Sequence, residues 1–208
     1  MNTPQLYQRA AISLVLAGFL TAPTFVQAQT DNFDSYVTVG GLTAGGWVLS
    51  QMAPGFVTTT FPVVGSGKGL RIQSEPVAAV APAAAIWYRT TDYTNFYMAA
   101  DLVSWTDKNQ SFVLLARGQI VDDPGGASGY MVNYNVAQRG DTATSPRQGE
   151  LEVSVLSPPF SAQQLALGEI TLVPGSSYRF VFSGVGHHFT VRVYDLLDLT
   201  RPLISMEA

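Results

Sequence analysis

The sequence predicts an all-β protein, an antiparallel sandwich or barrel, and three observations predict it. No 3.6-residue hydrophobic period is sustained after residue 30. Short runs of β-branched and aromatic residues recur in its place, and clusters of Gly, Pro, Asn, Asp and Ser separate them. Many short strands at near-regular spacing with no helices between them bury their apolar faces by stacking sheet on sheet or by closing into a barrel.

The first segment is a leader. Arg9 supplies a positive start, residues 10–20 (AAISLVLAGFL) form an uncharged apolar run, and Val26-Gln27-Ala28 gives a small-residue cleavage site before Gln29. A membrane-spanning helix would need about 20 apolar residues, and Pro23 and Thr24 interrupt this run soon after Leu20. Residues 1–28 are therefore expected to be a signal peptide and residues 29–208 a single domain. That domain is expected to be secreted, periplasmic or extracellular, with no membrane attachment after cleavage.

Strands are expected at 56–61, 69–73, 85–89, 96–103, 111–117, 130–135, 150–156, 177–183 and 189–194. Less marked ones fall at 164–167 and 202–205. Alternation separates two faces in several of them. Tyr178, Phe180 and Phe182 oppose Ser177, Arg179, Val181 and Ser183; Tyr130, Val132 and Tyr134 oppose Met131, Asn133 and Asn135; Leu151, Val153 and Val155 oppose Glu150, Glu152 and Ser154. The run at 111–117 (SFVLLAR) is apolar on both faces and is expected in the centre of its sheet. Asp123-Pro124-Gly125-Gly126 and Pro174-Gly175-Ser176-Ser177 read as turns, and Ser183-Gly184-Val185-Gly186 as the closure of a hairpin. The Ala/Val/Pro stretch at 77–85 fits a surface crossover.

Composition excludes several classes. Of 208 residues only 12% are charged, against 47% hydrophobic, so the chain is not a solvating disordered polymer. The absence of Cys removes disulfides, thiolate zinc sites and cysteine nucleophiles together. A net charge of −4 argues against nucleic acid as a partner, since phosphate neutralisation needs a basic surface.

Phe33 and Trp47, GLRIQ at 69–73, FYMAADLVSW at 96–105, SFVLLAR at 111–117, GYMVNYN at 129–135 and VPGSSYRFVFSGVGHHFTVRVYD at 173–195 together resemble the concanavalin A-like lectin/glucanase superfamily, in particular the laminin-G-like jelly rolls of bacterial secreted proteins. The resemblance implies an antiparallel two-sheet β-sandwich of jelly-roll type. Such jelly rolls continue with a further Gly-rich strand, whereas this sequence stops at Ala208. It leaves two readings, a shortened architecture or a chain lacking its last strand.

No complete catalytic motif is present. The superfamily's glucanases resemble one another in a strand bearing Glu-x-Asp-x-x-Glu or Glu-x-Asp-x-Glu, and Glu150-Leu151-Glu152-Val153-Ser154 is the nearest stretch, with Ser154 where another acid would be needed. His187 and His188 adjoin a glycine turn and have no Gly-x-Ser-x-Gly elbow to serve. No cofactor is implied. Calcium is the one ion with ligands on offer, from Asp122, Asp123, Asn135, Asp141, Asp31 and Asp34, in no defined loop pattern.

Sugar binding needs planar polar groups beside an aromatic platform. Tyr97, Asp101, Arg117, Asn133 and Glu152 are the candidate ligand-binding residues, with Arg179 and Arg192 on the same kind of polar face. Trp87, Tyr88 and Trp105 are candidate rim aromatics. Arg117, Asn133 and Glu152 would form a cross-strand row if neighbouring strands pair. The expected role is non-catalytic binding of a polysaccharide, glycan or other cell-surface component. The alternatives are a glycoside hydrolase using Glu150 and Glu152, and a purely structural exported domain.

Overall fold

The computed structural model describes residues 48–51, 56–63, 67–74, 85–88, 94–103, 105, 111–121, 126–135, 149–158 and 161–208. They form twelve strands: β1 Val48–Gln51, β2 Phe56–Val63, β3 Gly67–Ser74, β4 Ala85–Tyr88, β5 Phe96–Leu102, β6 Ser111–Val121, β7 Gly126–Asn135, β8 Glu150–Ser157, β9 Ser161–Glu169, β10 Tyr178–Val185, β11 His188–Asp195 and β12 Ile204–Glu207. All lie within one unit, Asn32–Ala208. Residues 1–28, the stretch at 77–84, and residues 123–125 of the expected Asp123–Gly126 turn lie outside the described residues. Among those described, no helix is long and apolar enough to cross a membrane.

Two four-stranded antiparallel sheets carry the core, in the orders β6-β7-β8-β9 and β12-β11-β10-β5. β1 pairs with β4 and β2 with β3 as two further ribbons. Alternation drives the packing. β5 reads half-buried, exposed, half-buried along its whole length, as a strand with one wet face must. The inward residues of β10 and β11, namely Tyr178, Phe180, Phe182, Phe189, Val191 and Val193, are at most 4% exposed. They meet Leu114, Val132, Tyr134, Leu151 and Val153 of the facing sheet in one cluster. Aromatic rings bridge the sheets: Phe112 lies 4.8 Å from Phe180 and Tyr130 lies 4.3 Å from Phe189.

Turn chemistry fixes the registers. Val185 opposes His188, so the β10–β11 hairpin closes on Gly186-His187. This is later than the expected Ser183–Gly186 closure. Gly186 sits at φ 58° in the first central position, which a type II′ turn requires and a side chain resists. Gly184 belongs to the strand, where its missing Cβ leaves room for the rings of Phe96 and Phe189. The turn before β10 closes with Ser176 N–H donating to the Val173 carbonyl at 3.1 Å around Pro174 and Gly175.

Three differences from expectation have physical causes. β6 lies at the end of its sheet rather than in the centre, with Val113 45% exposed. An apolar outward side chain reports tolerance of partial exposure, and the number of neighbours a strand has is set by topology. β9 is a full strand from Ser161 to Glu169, broken by a register shift opposite Val153/Ser154 that masks its alternation. Ser154, placed on the polar face of β8, is fully buried there. Its hydroxyl donates to the Glu152 carboxylate two residues away, which satisfies the group without water.

Candidate functional site

The outer face of the β12-β11-β10-β5 sheet is the best-built polar surface described. Register places its residues in three rows across the strands. Tyr97, Ser183, Thr190 and Glu207 form the first, Ala99, Val181, Arg192 and Ser205 the second, and Asp101, Arg179 and Tyr194 the third. These positions alternate with the core residues Phe180, Phe182, Val191 and Val193. Val181, expected on the polar side of its strand, is the exception: it is only 6% exposed, so the middle of the face is apolar and closed to water at that strand.

Tyr97 is the prominent aromatic, 73% exposed. Along the same face of β5, Asp101 meets Arg179 of β10 in a two-pronged ion pair, Nε to Oδ1 at 2.7 Å and Nη2 to Oδ2 at 2.8 Å. The Asp101 bond raises the Arg179 pKa above its ordinary value. Both side chains are more than a third exposed, so water screens the pair and its contribution to stability is about 0.2–1 kcal/mol. Its geometry is the more useful property. The carboxylate and guanidinium are held together two rows away from the exposed Tyr97 ring, with Arg192 exposed in the row between. Glu207 and Thr190, with His188, Phe189 and Ala208, also line a shallow cavity of about 400 Å³ at the end of β11.

The five ligand-binding candidates do not share one surface. Tyr97 and Asp101 lie together on β5, as their spacing implies. Asn133 and Glu152 are opposite one another on the other sheet. Val113, not Arg117, stands across from Asn133 on β6, so the expected row contains Asn133 and Glu152 without Arg117. A register shift between Ala116 and Gln119 sets Arg117 in a β-bulge at φ 50°, and its guanidinium reaches the opposite sheet. There Nη1 donates to the Gly186 carbonyl at 2.6 Å. A bulge inserts one residue and re-aims the side chain that a regular ladder would have placed elsewhere.

Asn133 keeps its Oδ1 out of water with no donor among the described residues. Glu150 is flanked in register by Asn135 and Glu169. Trp105 is not a rim aromatic: it is half-buried, packs edge-on against Tyr134 at 6.2 Å, and donates its indole N–H to the Ser176 carbonyl at 3.2 Å. The side chains of Trp87 and Tyr88 lie outside the described residues, as do the calcium candidates Asp31, Asp34, Asp122, Asp123 and Asp141. Among the described residues no three His, Asp or Glu side chains converge as a metal would need. His187 and His188 are exposed at the hairpin end.

Ser183, Thr190, Tyr194 and Glu207 join the platform without having been singled out in the sequence. Tyr194 and Thr190 were legible, each being two residues from Arg192 on one strand, and Ser183 shares the face of Arg179 by alternation. Glu207 depends on which strand neighbours β11, and local alternation carries no such information.

The fold and this face define an antiparallel β-sandwich with one polar, aromatic outer sheet surface. No family model, curated protein or solved structure matches the chain.

Proposed function

We propose that the chain is a secreted, non-catalytic domain of the concanavalin A-like, laminin-G-like jelly-roll type that binds a polysaccharide or other cell-surface glycan through the outer face of β5, β10, β11 and β12. The observation that carries this reading is Tyr97, 73% exposed, on the same sheet face as the Asp101–Arg179 pair and two rows from it. A pyranose ring offers an apolar face to stack on the phenol and equatorial hydroxyls that suit fixed carboxylate and guanidinium groups. Rigid positioning matters because binding then costs little side-chain ordering.

The test is affinity electrophoresis and calorimetry against a panel of plant, fungal and bacterial polysaccharides. Tyr97→Ala is expected to weaken binding about tenfold, the effect of losing roughly 1.4 kcal/mol, while the melting temperature stays unchanged because the ring is exposed. Gln163→Ala, on exposed β9 of the other sheet, should bind as the parent does. Equal binding by the parent and Tyr97→Ala would refute the reading.

A further inference from the structure

Arg117 is the most unusual residue described. Its backbone occupies the left-handed region at φ 50° within the β6 bulge, a conformation a non-glycine residue seldom adopts. Its guanidinium stands between the sheets at one end of the sandwich, 5.5 Å from the Phe96 ring centroid and 5.3 Å from that of Phe189. Nη1 is pinned to the Gly186 carbonyl. Nε and Nη2 are out of contact with water and have no partner among the described residues. A buried donor left unmade is costly, and native structures rarely tolerate one without a purpose.

The two orphaned donors are the same pair that Arg179 uses. At Arg179, Nε and Nη2 grip both oxygens of the Asp101 carboxylate at 2.7 and 2.8 Å. At Arg117 the same edge is held in place by a bulge, two rings and a carbonyl, and holds nothing. We propose that Arg117 is the receptor for a carboxylate-bearing ligand, bound through its Nε–Nη2 edge at the end of the sandwich beneath the Gly186-His187 turn. The planar fork matches two carboxylate oxygens, and the ring faces shield the contact from water, which strengthens it. Entry requires the turn to lift. Its two restraints, Arg117 Nη1 to the Gly186 carbonyl and Gly186 N–H to Asn95 Oδ1 at 3.1 Å, are both at the exposed surface. This site is separate from the Tyr97 face and stands or falls without it.

Arginine Nε–H resonances of the full chain, titrated at constant ionic strength with acetate, with glucuronate and with chloride, test the proposal. The Arg117 Hε signal is expected to move downfield and saturate in the millimolar range with both carboxylates and not with chloride. The Arg179 signal, already closed by Asp101, should stay fixed. Tighter binding of glucuronate would mark the ligand as an acidic sugar; equal binding would mark a carboxylate without a sugar requirement. Arg117→Lys, which keeps the charge and loses the fork, should lose the saturable thermal stabilisation by glucuronate. If that variant fails to fold, the titration of the parent decides alone. Tyr97→Ala should leave the Arg117 response intact. No saturable movement with either carboxylate, or an equal response to chloride, overturns the proposal.

Discussion

Tyr134 shows how one polar atom organises a buried aromatic. Its ring is 2% exposed, and its hydroxyl accepts the Leu172 N–H at 3.3 Å across the core. Burial raises its pKa above 10.0, with the Leu172 bond opposing that shift in part. The neutral phenol is therefore favoured by folding, so its contribution is complete below the unfolded value and is lost as pH climbs through the folded one. Tyr134→Phe strands the Leu172 N–H and should cost about 1–3 kcal/mol in urea unfolding. Asp198 runs the other way. The Thr200 hydroxyl, bonded at 2.6 Å, and the Thr200 N–H lower its pKa from 3.8. Its support for the β11–β12 turn is present above the ordinary carboxylate value and fades as pH falls through the depressed one. Thr200→Val should move the Asp198 pKa back up, as a carboxyl-detected NMR titration would show. The partner of Tyr134 cannot be named from sequence, because a hydroxyl at residue 134 and an amide at residue 172 meet only across the folded core; Thr200 lies two residues from Asp198, and that contact is local.

At the scale of elements, the β10–β11 hairpin is where sequence and structure agree most closely. Tyr178, Phe180 and Phe182 turn inward and Arg179 and Ser183 outward, as alternation requires, while Val181 is buried although it falls on the outward side. The turn position was displaced because Gly184 looks like a turn residue and acts as a packing residue. A Cβ there would meet the Phe96 ring at 2.5 Å and the Phe189 ring at 3.0 Å. Gly184→Ala should accordingly destabilise by about 1–3 kcal/mol through overpacking, measured by thermal or urea unfolding. β6 shows the opposite outcome. Its strand character was legible, but its terminal place in the sheet and the bulge at Arg117 were not. A bulge leaves the local pattern intact and changes only where the side chain goes.

For the whole molecule, two sheets share one core, and rings from both meet at Phe180. Phe112 lies 4.8 Å and Tyr134 6.0 Å from it. Phe180→Ala should cost about 3–5 kcal/mol. Because no sheet can bury its apolar face alone, near-ultraviolet and far-ultraviolet signals should fall in one coincident transition; two separated transitions would show that the sheets unfold independently. The sequence by itself determined the all-β class, the location of most strands and the inward or outward sense of β5 and β7, and of β8 and β10 except at Ser154 and Val181. Those follow from side-chain period, which is local. It also paired Tyr97 with Asp101, which share one strand. Only the tertiary structure decided that Asp101 grips Arg179, that Asn133 and Glu152 belong to a different surface, and that Arg117 crosses between the sheets. Each of these depends on register and sheet order, which arise from turns, bulges and core packing acting across the whole chain.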